Sequence, residues 1–205
     1  MPAQTYTQAV PRLIALTGFA RSGKDAVAAH LVAHRNFTRV AFADGVREAA
    51  LALDPVVDYA DGQAIRISAL VGERGWDEAK AHPEVRRTLQ RLGTEAGWNL
   101  HGPSLWVDLA RPKIQEAWDS GRSAVITDMR FPAEVEWVSS VGGRVWKVRR
   151  PRTGASLTGE NAAHTSEAFI DRIEADVVID NDADLVALYR KVDAAIGADS
   201  LGSAA

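Results

Sequence analysis

Leu13-Ile14-Ala15-Leu16-Thr17-Gly18-Phe19-Ala20-Arg21-Ser22-Gly23-Lys24-Asp25 is the stretch on which the reading of this chain turns. Its first five residues form a short apolar run closed by glycine, the pattern of a buried strand. Gly18 to Lys24 then fits G-x-x-x-x-G-K. Glycines at those two places let backbone N–H groups turn inward around phosphate oxygens, and the spacing lets Lys24 reach the β- and γ-phosphates of a bound nucleotide. From Lys24 to Arg35 the spacing of Val27, Leu31 and the intervening alanines predicts a helix, whose positive N-terminal end would point at the same phosphates. Strand, loop and helix in that order are the context a phosphate loop needs. Without a ligand the same residues would be a glycine-rich strand–helix turn.

One residue departs from the usual loop. The position after the lysine normally carries Ser or Thr, whose hydroxyl binds Mg²⁺. Here it is Asp25, a carboxylate that can hold Mg²⁺ directly or through water but also repels phosphate.

Outward from the loop, Thr38 to Phe42 reads as a second strand, and Asp44 as the N-cap of a helix toward Leu53. Residues 58–82 read as two helices, Ile65 to Val71 and Trp76 to Ala81. Pro83 suits the first position of a helix to about Trp98. Ser104 to Asp119 is helical, with Pro112 kinking or splitting it. Nothing between 44 and 120 reads as a convincing strand. Alternation then returns: strand Ser123 to Thr127, helix Pro132 to Val141 stopped by Gly142-Gly143, strand Arg144 to Arg149, a polar loop over Pro151 to Ala163, strand Val177 to Ile179, and helix Ala183 to Ile196. Residues 1–11 read as a loose leader, and the tail from Gly197 as fraying. This pattern predicts an α/β fold with a largely parallel sheet and a helical insertion beside it.

The 205 residues suit one domain with inserted subdomains, and 46% hydrophobic against 25% charged is an ordinary globular balance. A net charge of -3 gives no sign of nucleic-acid binding, and the absence of cysteine excludes disulfides, thiolate metal sites and a cysteine nucleophile. No apolar stretch approaches the roughly 18 residues of a membrane helix, and the N-terminus does not read as a secretory signal. A cytoplasmic protein is the expectation.

Further candidates surround the loop. Asp128 ends the apolar run Val125-Ile126-Thr127, and ligands of open α/β sheets bind outside the carboxyl ends of strands. Asp128 is thus a candidate for Mg²⁺ or for the acceptor, with a helix N-cap as the plainer role. Phosphoryl transfer needs positive charge around the moving group. Arg21 lies inside the loop, Arg130 follows Asp128, and Arg149, Arg150 and Arg152 lead into the polar loop as a closing lid would require. At helical spacing Arg87, Gln90, Arg91 and Thr94 share a polar face, as a base-reading surface or as solvent-facing side chains. Asp44 and Arg47 offer acceptor contacts, or a cap and a surface charge. Trp98 and Trp106 flank the Gln90 helix and could line a base pocket, whereas Trp118, Trp137 and Trp146 fit core packing. His164, Ser166 and Glu167 read as the start of a short helix, and Asn181-Asp182 as a turn.

In combination these segments resemble the bacteriophage-type deoxynucleoside monophosphate kinases. Four blocks carry the resemblance, in order: Gly18 to Asp25, with Gly-Lys-Asp; Leu89-Gln90 with Leu92-Gly93-Thr94-Glu95; Asp128-Met129-Arg130-Phe131-Pro132-Ala133-Glu134; and Arg150-Pro151 with His164, Ser166, Glu167 and the Asp176 to Asn181 strand. The resemblance implies a P-loop three-layer fold with a mostly parallel sheet of about five strands. It implies a core over about 12–43 and 121–197, a helical acceptor-binding region over about 44–120, and a lid over about 150–166. ATP and Mg²⁺ would be donor and cofactor, deoxynucleoside monophosphates the acceptors, and a homodimer or higher homo-oligomer the assembly.

Carried over by position, Lys24 and Arg21 would hold the ATP phosphates; the loop's own reading adds Gly18, Ala20, Ser22, Gly23 and Asp25 around them, with Asp25 and Asp128 near the metal. Asp44, Arg47, Gln90, Thr94, Asp128, Arg130 and Glu134 would line the acceptor side, to which the polar helical face and its flanking tryptophans, read from the residues alone, add Arg87 and Trp106. Lys24, Arg21, Arg130, Arg150 and Asp128 would carry catalysis. The family pattern often has an arginine near Trp98, which Arg87 or Arg66 would have to replace. Two other readings compete. One is a P-loop small-molecule kinase resembling dephospho-coenzyme A kinase. The other is a P-loop switch or hydrolase without a second substrate.

Overall fold

The computed structural model describes residues 11–60, 62–151 and 169–202. In chain order the elements are β1 (Leu13–Thr17), α1 (Lys24–His34), β2 (Phe37–Val40), α2 (Ala43–Leu53), β3 (Val56–Ala60), β4 (Gln63–Arg66), α3 (Ile67–Ala79), α4 (Pro83–Gln90), a π-helix (Arg91–Trp98), the single turn α5 (Asn99–His101) and α6 (Leu105–Asp119). Then follow β5 (Ser123–Ile126), α7 (Pro132–Ser140), β6 (Arg144–Arg149), β7 (Val177–Asp180) and α8 (Leu185–Gly202). The chain divides into two compact units, one comprising Met1–Ala41 with Pro112–Ala205, the other Phe42–Arg111.

The first unit is built on a five-stranded sheet in the order β2-β5-β1-β6-β7, with every pairing parallel. All five residues of β1 are buried, as expected of a central strand covered on both faces. Ile14, Leu16, Val125, Trp146, Val148 and Ile179 from the sheet pack with Val27 and Leu31 of α1 and Leu188, Val192 and Ile196 of α8 in one apolar cluster. A polar contact joins the two helices as well. His30 of α1 stacks on Tyr189 at 4.4 Å, and its Nε2 lies 2.8 Å from the Asp193 carboxylate. The α/β class and the parallel sheet expected from the strand–helix alternation are what the structure has.

The second unit corrects the expectation of an all-helical insertion. Residues 56–66 form an antiparallel hairpin, with Tyr59 opposite Ala64 and Ala60 opposite Gln63. The sequence carried its signal: Asp61-Gly62 lies between apolar runs, and Gly62 takes the positive φ of 76° that a tight hairpin needs. A helix follows, but over Ile67–Ala79 and broken at Gly75, whose φ of 73° is non-helical. Val57, Ile67, Leu70, Val85 and Ala50 form this unit's own core.

Two smaller expectations also change. Asp44 is not an N-cap; it lies in the first turn of α2, and its carboxylate accepts from the Arg47 guanidinium at 3.0 Å. Helix α8 continues past Gly197 to Gly202 rather than fraying at 197. Pro112 interrupts no element, since α6 runs through it, although the boundary between the units falls there. Pro83 takes the first position of α4, as its missing N–H allows. The leader 1–10, Arg152, His164, Ser166, Glu167 and nearly all of the expected lid lie outside the described residues.

Besides the turns at Gly62 and Gly75, glycine in the second unit also serves close contact. A Cβ on Gly97 would lie 2.4 Å from the Trp106 ring, whereas one on Gly72, in α3, would meet nothing within 4 Å. Gly97→Ala should therefore destabilise the protein by about 1–3 kcal/mol through overpacking. Gly72→Ala should be neutral or stabilising by up to about 1 kcal/mol. Chemical denaturation of the two variants checks the pair, and equal effects would contradict the packing described.

Candidate active site

The sheet collects the candidates of the first unit at one edge. β5 and β6 flank β1 in parallel, with Ala15 beside Ile126 and Thr17 beside Lys147, and β7 runs parallel to β6 with Asp180 beside Arg149. The carboxyl ends of four strands thus deliver Gly18, Asp128, Arg150 and Asn181 to the same edge, where ligands of open parallel sheets bind.

The loop between β1 and α1 is tightly built. Gly18 has φ 142° and Gly23 φ 107°, and Arg21, a non-glycine, has φ 61°. Left-handed backbone in a residue with a Cβ stores strain, a feature of ligand-binding turns. A Cβ on Gly18 would come within 2.3 Å of the Val148 carbonyl oxygen, so only glycine passes here. Lys24 Nζ donates to the carbonyls of Gly18 and Phe19 at 2.7 and 2.8 Å, folding the side chain back over the loop. Ser22 Oγ is buried with no hydrogen-bond partner among the described residues. A buried hydroxyl, a lysine over the loop and a helix N-terminus at its end suit a polyphosphate. Ala20, Arg21 and Asp25 are exposed.

Asp128 and Arg130 leave β5 half-buried, followed by Met129-Arg130-Phe131 leading into α7. Glu134 holds that segment. It is 6% exposed, and its Oε2 accepts from the Arg130 N–H at 2.6 Å and the Phe131 N–H at 3.0 Å. Its carboxylate is therefore turned onto the backbone rather than outward, a supporting role that the acceptor-side assignment did not anticipate. Burial pushes the Glu134 carboxyl up to about 8, with the nearby Asp128 adding to the rise and the two N–H donors opposing it.

In the second unit, Asp44 and Arg47 form an ion pair at 3.0 Å, each side chain about a fifth exposed, and the Arg47 guanidinium lies over Trp76 at 6.0 Å. Gln90 ends α4 and Thr94 lies in the π-helix, both exposed. Long π-helical runs are rare and gather at functional sites. Trp106 braces this segment: its Nε1 donates to the Gly93 carbonyl at 2.8 Å while its ring packs on Gly97 and Gly45. Trp106 is thus a pillar under the Gln90–Thr94 surface, a packing role beside the base-pocket role expected. Arg87 is exposed and paired with Glu84 at 3.1 Å, and Arg66 donates to the Asp54 carbonyl at 2.7 Å.

Arg149 is committed elsewhere, in a two-point ion pair with Asp180 at 2.9 and 3.2 Å, which leaves Arg150, exposed, as the arginine at the end of β6. Among the described residues no group of three or more His, Asp or Glu could hold a metal alone. Of the two carboxylates expected near a metal, Asp25 is exposed and Asp128 half-buried. Among the described residues no helix is long and apolar enough to cross a membrane.

A parallel sheet with a G-x-x-x-x-G-K loop between its central strand and the next helix makes this a P-loop fold of the kinase kind. The chain belongs to the deoxynucleotide monophosphate kinase family, whose sequence model matches residues 76–192. A deoxynucleotide monophosphate kinase of Escherichia phage RB69 is 34% identical over 110 residues, 53% of this chain and 43% of that protein. The enzyme of the same description from Enterobacteria phage T4 is 30% identical over 109 residues, 53% of this chain and 43% of that protein. These matches span less than half the length of those relatives. Among solved structures, a dephospho-CoA kinase from Campylobacter jejuni is similar at 15% identity with a TM-score of 0.49, covering 93% of this chain and 98% of that one.

The protonation of Glu134 is testable. Its folded carboxyl holds the proton well above the ordinary 4.5, so the native state binds more protons than the unfolded chain. Stability should fall as pH rises from about 4.5 through about 8. Glu134→Gln keeps an oxygen for both N–H donors and removes the titration. Melting temperatures between about pH 5 and pH 8.5 should therefore fall less steeply in the variant than in the parent. Parallel profiles would contradict the assignment.

Proposed function

We propose that this chain transfers the γ-phosphate of ATP to a deoxynucleoside monophosphate. The observation that carries the reading is the phosphate loop from Gly18 to Lys24, with its lysine folded over the turn, in a chain of the deoxynucleotide monophosphate kinase family.

In this reading the backbone N–H groups from Gly18 to Lys24 hold the β- and γ-phosphates and Lys24 spans them. An oxygen of the acceptor's phosphate attacks the γ-phosphorus in line. The bond to the β–γ bridging oxygen breaks, ADP leaves, and the acceptor becomes a diphosphate. The attacking oxygen is already anionic near neutral pH, so no strong general base is required. Arg21, Arg130 and Arg150 supply the positive charge that the transition state needs on its equatorial oxygens. Asp128, at the end of β5, would face the acceptor, and Glu134 holds the Arg130 backbone in place. Mg²⁺, with Asp25 or Asp128 near it, would neutralise phosphate charge and orient the transferred group. Asp44, Arg47, Arg87, Gln90 and Thr94 serve the acceptor's base and phosphate, with Trp106 beneath them.

The test is ADP release with ATP and Mg²⁺ against each common deoxy- and ribonucleoside monophosphate, dephospho-coenzyme A and no acceptor. Release should depend on one or more deoxynucleoside monophosphates. Lys24→Met should lower kcat by about a thousandfold or more while the protein still melts cooperatively. Release indifferent to the acceptor would replace the reading with a nucleotide hydrolase, and release with dephospho-coenzyme A alone would replace it with a coenzyme-precursor kinase.

A further inference from the structure

We propose that Asn181, at the far end of the chain from the phosphate loop, is the positioning residue that sets the loop's donor geometry. The proposal rests on the reading that this loop holds the phosphates of ATP.

Asn181 follows β7 and is 8% exposed. Its backbone N–H donates to the Arg149 carbonyl at 2.6 Å, extending the β6–β7 ladder by one residue. Its Nδ2 donates to the Ser22 carbonyl at 2.9 Å, a buried bond between residues 159 positions apart. The amide also fills the notch left by the missing side chain of Gly23, since a Cβ there would lie 2.5 Å from Nδ2. Gly23, with φ 107°, is the last loop residue before Lys24 opens α1.

The consequence follows from peptide geometry. The Ser22–Gly23 peptide is planar and trans, so its carbonyl and its N–H point in opposite directions. Drawing the Ser22 carbonyl toward Asn181 aims the Gly23 N–H away from Asn181. An N–H of this segment is what a phosphate oxygen needs, and its direction is fixed before the nucleotide arrives. Preorganised donors are worth more than donors that must be turned during binding. The side chain facing Ser22 must offer a hydrogen to a carbonyl oxygen, fit beside a glycine and stay neutral. The amide of Asn meets all three needs.

The support behind Asn181 is firm. On one side Asp180 makes its two-point ion pair with Arg149 across the sheet. On the other, Lys191 of α8 donates to the Asp180 carbonyl at 2.7 Å and to the Asp182 carboxylate at 2.5 Å. Strand β7 and helix α8 thus hold the turn from both ends, and Asn181 carries their rigidity to the loop.

The test measures binding of ATP with Mg²⁺ by calorimetric titration, with no acceptor present, for the parent, Asn181→Asp and Asn181→Ala. Asn181→Asp keeps the shape and replaces the donor with a charged acceptor facing the Ser22 carbonyl. It should weaken ATP binding by about tenfold or more near pH 8. As pH falls toward about 5.5 the buried acid takes up a proton and can donate again, so its Kd relative to the parent should recover. Asn181→Ala should weaken ATP binding with a ratio to the parent that does not change with pH. Binding of a deoxynucleoside monophosphate should change less than twofold in both, which a general loss of structure would not leave intact. If Asn181→Asp does not fold, the selective loss of ATP affinity in Asn181→Ala decides. ATP Kd values within twofold of the parent in the folded variants, or a deficit in Asn181→Asp equal at every pH, would overturn the proposal. A parent that does not bind ATP would overturn the reading of the loop instead, and a parent that binds ATP without transferring phosphate would leave the role of Asn181 standing.

Discussion

The backbone between β1 and α1 has to turn in a space walled by neighbouring strands. On one side the Val148 carbonyl closes on Gly18, and on the other the Asn181 amide closes on Gly23. No residue with a Cβ fits at either place. The walls come from the strands on that side of the sheet, since β6 lies beside β1 and β7 beside β6. Asp128 and Arg150 follow the carboxyl ends of β5 and β6, the two strands that flank β1, and so share the loop's edge of the sheet. The apolar cluster under the sheet and the α1–α8 contact through His30, Tyr189 and Asp193 keep those walls in register.

The second unit applies the same device to a different end. Gly45 and Gly97 bare their backbones so that the Trp106 ring can lie against both α2 and the π-helix, and its indole N–H satisfies the Gly93 carbonyl. A wide helical turn carrying Thr94 and a straight helix carrying Asp44 and Arg47 are thereby held by one aromatic side chain. Replacing a small residue there costs packing, and replacing the tryptophan removes the support for both.

Much of the first unit was legible because its central strands β1 and β5 are short, largely buried apolar runs, followed by Gly18 and by Asp128. The loop was legible because its glycines answer a steric need that two letters of sequence express. The hairpin at 56–66 was missed although Asp61-Gly62 announced it, because its strands are brief and Gln63 and Ala64 are exposed, so no alternation stood out. Asp44 read as a cap because its type favours that role, but the helix begins one residue earlier and Arg47 claims the carboxylate. Glu134 became a candidate by its place in a motif and Trp106 by flanking the Gln90 helix. In three dimensions Glu134 accepts from the Arg130 and Phe131 N–H groups and Trp106 donates to the Gly93 carbonyl, bonds that no local sequence pattern announces. Asn181 read as a turn, since nothing local links it to a loop 159 residues away.

The central claim is that the phosphate held by this loop passes to a deoxynucleoside monophosphate rather than to water. Following the label of γ-³²P-ATP in a single turnover, with a deoxynucleoside monophosphate and Mg²⁺ present, tests it most directly. The account predicts that the label appears in the deoxynucleoside diphosphate as ATP is consumed. Label recovered only as inorganic phosphate, at a rate unaffected by the monophosphate, would contradict it.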